Sequence, residues 1–229
     1  MADTLEIPTP DGTLDGYLAL PAQGTGPGMI VVQEIFGVGP YIRSAAERLA
    51  QLGYVAFAPD LYWRIEPHAT PEDLDEAMQF AQQLDHAKAV QDANAALDIL
   101  RGRPEVTGGK AGVLGFCLGG TLAWGVAALG NPDTAVCYYG SGIPDMLGEA
   151  EAITCPLLLH FAGADQFIPR ERVDTVAEFA ETRPNLECHV QEGAGHAFDN
   201  PSPMFHNPDA AARAWEITRE FLARTLPTG

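Results

Sequence analysis

A single α/β domain over residues 1–229, a mainly parallel sheet with helices on both faces, is the fold this sequence predicts. Three observations predict it. Short continuous apolar runs, the mark of strands covered on both sides, alternate with segments of helical period almost throughout. No linker, repeat or low-complexity tract divides the 229 residues, enough for one deep core and few for two. And Gly115-Phe116-Cys117-Leu118-Gly119 joins one apolar run to a helical segment as a tight strand-to-helix turn would.

Taken in order, Thr13 to Pro21 alternates like a strand after the turn at Asp11-Gly12 and is expected at an antiparallel edge. Pro21 to Gly28 reads as a loop, and Met29 to Gln33 as a buried strand. Ile42 to Leu52 has helical spacing and closes on Gly53. Tyr54 to Ala58 is the next strand. Pro71 to Leu100 is helical, with Thr70 as N-cap, Pro71 in the first position and a break near Asp85. Strands follow at Lys110–Phe116, Thr134–Tyr139 and Pro156–Phe161, with a helix from Leu118 to Leu129 between the first two. Arg170 to Thr182 reads as helix, Leu186 to Gln191 as strand and Ala210 to Arg224 as a closing amphipathic helix.

Composition bounds the function. Thirteen Lys and Arg against 31 Asp and Glu leave a net charge of −18, which argues against nucleic acid or an anionic membrane as partner. The apolar runs fall far short of the roughly 20 residues that cross a bilayer, and no signal peptide is read at the N-terminus, so a cytoplasmic protein is expected. Cys117, Cys137, Cys155 and Cys188 form no C-x-x-C pair and are expected free, the last three as inert thiols in apolar or strand-like runs.

The chemistry gathers at predicted strand ends, where sites form in parallel sheets. The turn around Cys117 is too tight for a Cβ at the positions two before and two after it, which Gly115 and Gly119 answer. It lifts the sulfur to a helix N-terminus, where N–H groups favour negative charge. Asp165 follows the Pro156–Phe161 run, and His196 stands in a glycine-rich loop after the last strand. Nucleophile, acid, histidine is the chain order of an α/β-hydrolase triad. The imidazole takes the thiol proton and returns it to the leaving group, while the carboxylate fixes its tautomer. The Leu118 and Ile35 N–H groups are the candidate oxyanion donors. His68, His86, His160, His189 and His206 are read as structural or solvated.

With those residues in place the chain resembles the dienelactone hydrolase family of small α/β hydrolases with a cysteine nucleophile. The matching stretches are Gln33-Glu34-Ile35-Phe36-Gly37, Pro59-Asp60-Leu61-Tyr62, Gly115 to Gly120, Tyr138-Tyr139-Gly140, Gly163-Ala164-Asp165 with Pro169, and Gly193-Ala194-Gly195-His196. The resemblance implies that Glu34 contacts the resting thiol and, displaced by substrate, helps deprotonate it; a simple ion pair with Arg43 is the alternative. It also implies arginines for a substrate carboxylate, and here the pattern departs. Pro71 to Leu100 holds Lys88 but no arginine, and Asn200 stands where the arginine after the histidine would fall.

The expected activity is therefore hydrolysis of a small ester, lactone or thioester, neutral or weakly polar, in a pocket walled by Phe36, Trp63, Tyr138 and Phe198, with Arg64 the remaining cation for an anionic group. No metal or organic cofactor is expected, and the chain is expected as a monomer or small homo-oligomer. Two rivals use the same residues: a Glu34–Cys117–His196 metal site, and a thiol sensor or binding module that does not turn over.

Overall fold

A computed structural model describes residues 2–229. Eight strands form one sheet in the order β1-β2-β4-β3-β5-β6-β7-β8: β1 Ala2–Thr9, β2 Gly12–Ala19, β3 Gly26–Val32, β4 Val55–Pro59, β5 Val106–Phe116, β6 Ala135–Tyr138, β7 Leu157–Ala162 and β8 Leu186–Gln191. β2 runs antiparallel to both its neighbours, and every pairing from β4 through β8 is parallel. The helices are α1 Pro40–Gln51, α2 Leu74–Gln83, α3 His86–Arg101, α4 Leu118–Gly130, α5 Arg170–Glu181 and α6 Pro208–Thr225.

The expected layering is present. Side chains of α3, α4 and α5 close one core against the sheet, and those of α1 and α6 close a second on the other face. β3 is buried at every residue, as a strand covered on both faces must be. α4 beside it is apolar on all sides and buried from Leu118 to Ala127.

Four differences from the sequence reading have local causes. β1 pairs with β2 through a tight turn at Thr9–Gly12, seating Ile7 in the core; Pro8 and Pro10 had hidden it, but Pro8 is tolerated because the strand is an edge. β3 opens at Gly26 rather than Met29, because Gly26 already pairs with Val106 of β5, at a position where a Cβ would overlap the Gly53 carbonyl oxygen. β5 likewise begins at Val106, ahead of the expected Lys110. α2 starts at Leu74, not at Pro71 with Thr70 capping: Asp73 holds the cap, accepting the Glu76 N–H at 2.9 Å. The break near Asp85 falls as expected, since Asp85 caps α3 through the Lys88 N–H. Two 3-10 turns, Ile143–Asp145 and Leu147–Ala152, follow β6 and shape one side of the cleft.

Candidate active site

Cys117 sits between β5 and α4 at φ 54° and ψ −115°, a conformation an L-residue holds only when its surroundings impose it. The imposition is visible on both sides. A Cβ at 115 would overlap the Gly119 carbonyl oxygen, and one at 119 the Val32 carbonyl oxygen. The Cys117 N–H donates to Tyr138 O at 3.0 Å, and its carbonyl accepts the Gly120 and Thr121 N–H groups of the first turn of α4. The Leu118 N–H, at the start of that turn, has no intrahelical acceptor.

Asp165, on the loop after β7, is held by two backbone donors: Oδ1 accepts Phe167 N–H at 2.7 Å and Ile168 N–H at 3.1 Å. Its Oδ2 lies 2.7 Å from His196 Nδ1, and His196 Nε2 lies 3.1 Å from Cys117 Sγ. Both side chains are almost fully out of water. The imidazole packs between Tyr139 and Phe167, with ring centroids at 5.2 and 5.0 Å. Burial works against a charge on the ring, but the hydrogen bonds to Asp165 and to the sulfur outweigh it and raise its pKa to about 10. An imidazole with that proton affinity is suited to receive a thiol proton.

Glu34 follows β3 and is 3% exposed. Its Oε1 accepts from Asn200 Nδ2 at 2.9 Å. Burial raises its pKa to about 7, against a lowering pull from Asn200 and the charge of His196 and with a further push from Asp199. Among the described residues no hydrogen bond joins Glu34 to the sulfur, which faces His196 instead. Nor does Arg43 pair with Glu34; its Nε donates to Val38 O and its guanidinium lies over Tyr17. The loop after His196 is pinned by Asp199, which takes two hydrogen bonds from Arg48 and one from Tyr41. Ile35 is fixed through its carbonyl, which accepts the Tyr62 hydroxyl at 2.9 Å.

These groups open on a cavity of about 490 Å³. Glu34, Ile35, Phe36, Cys117, Leu118 and His196 all line it, so each nucleophile, base, oxyanion and gating candidate meets there with one pocket residue; Asp165 stands behind the imidazole. Four of the expected pocket residues do not. Tyr138 is fully buried on the far face of the sheet, its hydroxyl 2.7 Å from Thr218 Oγ1. It is Tyr139, turned by a positive φ of 38° at the end of β6, that reaches the imidazole. Phe198 is sealed against Tyr138 and Tyr139. Trp63 donates to Asp92 of α3, and Arg64 stacks on Trp63 while pairing with Asp92 and Asp11, so both tie a loop to the body of the fold. No lysine or arginine lines the cavity among the described residues, and Asp145, which does, is paired with Arg172.

Other residues supply the walls that sequence reasoning missed. Leu74, Met78 and Ala81, at i, i+4 and i+7 of α2, form one side, and Met146, Phe167 and Phe205 face them. The helical spacing was readable; the face it presents was not. His86, read as structural or solvated, also reaches the lining. As for the rival metal site, the one group of three potential ligand atoms within 4.8 Å of one another among the described residues is Asp15, Asp60 and His68, which includes none of Glu34, Cys117 and His196. The four cysteines are free, and burial pushes Cys137, Cys155 and Cys188 up, the last two to about 11 and about 12. Among the described residues no helix is long and apolar enough to cross a membrane.

Comparison with known proteins adds four findings. The sequence profile described as the dienelactone hydrolase family matches residues 14–226. A Pseudomonas putida protein named carboxymethylenebutenolidase is 36% identical over 229 residues, covering 97% of each chain. A solved structure from Klebsiella pneumoniae superposes with a TM-score of 0.88 at 27% identity over 98% of each chain. A dienelactone hydrolase-like promiscuous phosphotriesterase from metagenomic libraries gives 0.85 at 25% identity, over 99% of this chain and 98% of the other.

Proposed function

The chain belongs to the dienelactone hydrolase family and is a carboxylic ester hydrolase, and from that premise we propose that it cleaves a small ester, lactone or thioester without an anionic group through a Cys117 acyl-enzyme. The observation that carries the proposal is the unbroken line Cys117 Sγ, His196, Asp165, at 3.1 and 2.7 Å, opening on a cavity without a lining lysine or arginine.

In this mechanism the Cys117 proton passes to His196 Nε2 and the sulfur attacks the substrate carbonyl carbon. The charge that develops on oxygen is met by the Leu118 and Ile35 N–H groups. The C–O or C–S bond to the leaving group then breaks, and the leaving group takes the proton from His196. Part of what raises the imidazole pKa is the sulfur itself. Acylation removes that contribution, so the ring gives up its proton more readily as the leaving group departs. Water, deprotonated by the same ring, attacks the thioester carbon; the C–S bond breaks, the sulfur takes the proton back from His196, and the acid is released, a lactone giving a hydroxy acid.

Asp165 orients the ring and stabilises its charge. Glu34 acts as the gate from its place on the cavity wall, held at rest by Asn200, where an entering substrate displaces it. That version of the gate differs from the thiol contact the resemblance implied, because Asn200 holds the carboxyl here. A substrate without a carboxylate is favoured because no lysine or arginine lines the cavity among the described residues. Cys117→Ala is expected to abolish turnover of short p-nitrophenyl esters while the fold is kept; full activity in that variant would sink the mechanism.

A further inference from the structure

A second groove of about 610 Å³ lies beyond the ring pair of Phe36 and Phe205, whose centroids are 6.2 Å apart. It adjoins the catalytic cavity, since Glu34, Phe36, Leu74 and Phe205 line both. Its chemistry differs from the first. Three aromatic rings line it, Phe36, Tyr41 and Phe205, and three carboxylates, Glu34, Glu72 and Asp73; no lysine, arginine or histidine does so among the described residues. Two other buried acids carry their own cations, Arg48 on Asp199 and Arg64 on Asp92, and a third, Asp60, is held by the Tyr62 and His68 N–H groups. Here Glu72 and Asp73 stand exposed at the rim without an ion pair among the described residues, and Glu34, which lines the groove, is bound there through Oε1 by Asn200 and by no cation among the described residues.

Aromatic faces beside uncompensated carboxylates are what recognise an alkylammonium group: the ring quadrupole and the acids attract the cation, and the rings accept its methyl groups. We propose that this groove is a subsite for a cationic, ammonium-bearing end of the substrate, so that the enzyme prefers positively charged esters to isosteric neutral ones and rejects anionic ones. The inference rests on the proposed ester hydrolysis and names its substrate class. A substrate whose carbonyl sits at Cys117 extends past Phe36, and its far end lies among the acids.

The test uses isosteric pairs with the native enzyme. One pair carries trimethylammonium or tert-butyl at the end of the acyl chain of a p-nitrophenyl ester, with the carboxylate-ended ester as third member. The other pair is the choline and 3,3-dimethylbutyl esters of one short acid. The subsite predicts a preference of about tenfold in kcat/KM for the cation in at least one placement. The preference shrinks in 1 M salt and in the Glu72→Gln/Asp73→Asn double variant, where the side-chain amide at position 73 still caps α2. A neutral member turned over as well as the cation in both placements, or a preference untouched by the double variant, overturns the inference while leaving ester hydrolysis standing. If no ester turns over, the proposed function fails, and calorimetric binding of benzyltrimethylammonium still decides the subsite. Binding weakened in the double variant supports it, and no binding, or equal binding to both proteins, overturns it.

Discussion

Replacing Glu34 with Gln keeps the shape of the side chain and its acceptor for Asn200 but removes a charge from a nearly closed site. The Glu34 pKa is about 7 in the folded protein against an ordinary 4.5. The folded state therefore binds more protons than the unfolded chain between those values, and stability falls as pH rises through that window. The loss is complete above pH 7 and absent below 4.5. A difference of that size corresponds to about 3 kcal/mol, by the conversion of 1.36 kcal/mol for each pKa unit. Glu34→Gln should thus match the native protein at pH 4 and be more stable by up to about 3 kcal/mol at pH 8, several degrees in Tm for a chain of this length. His196 acts in the opposite window. Its raised pKa adds stability that is full below 6.5 and is lost as pH rises through about 10. Urea unfolding of both proteins at each pH from 4 to 9 isolates the Glu34 contribution in the difference. A difference that stays flat across pH, or a variant that loses stability at pH 8, would refute the argument that burial strains this carboxylate.

Two other substitutions separate the elbow from its surroundings. Gly119→Ala places a methyl group against the Val32 carbonyl oxygen, so the turn must shift. It is expected to cost about 2 kcal/mol or more in unfolding free energy and at least tenfold in kcat, read by urea titration and an ester assay. Arg64→Ala leaves Asp92 buried without its cation, with the Trp63 N–H still on it, and is expected to lower stability by about 3 kcal/mol while kcat/KM for a neutral ester stays within twofold. A large fall in kcat/KM with unchanged stability would return Arg64 to the substrate pocket.

Much of this site was legible because its requirements are local to the backbone. Gly115 and Gly119 are demanded by carbonyl oxygens that any such turn brings close, so the pattern around Cys117 could be read without knowing what packs on it. Asp165 and His196 were recognisable from loop context and chain order, and Asp85 marked the helix break through its capping chemistry. The pocket walls were not legible, because they depend on which way a side chain turns at the end of a strand. Tyr138 and Tyr139 are adjacent in sequence, and a positive φ at Tyr139 decides which one meets the imidazole. Trp63 and Arg64 sit beside the cleft in sequence, but Asp92, about 30 residues on in α3, claims both. Asn200 was noted only as a missing arginine, and its role as the partner of Glu34 appears once the loop is folded back against β3.

The central claim is that the Cys117 sulfur takes the acyl group. Mass spectrometry of enzyme acid-quenched during turnover of p-nitrophenyl propionate tests it most directly. The account predicts one propionyl adduct on the peptide carrying Cys117, absent in Cys117→Ala. An acyl group on another residue, or steady turnover by Cys117→Ala with no adduct at all, would contradict it.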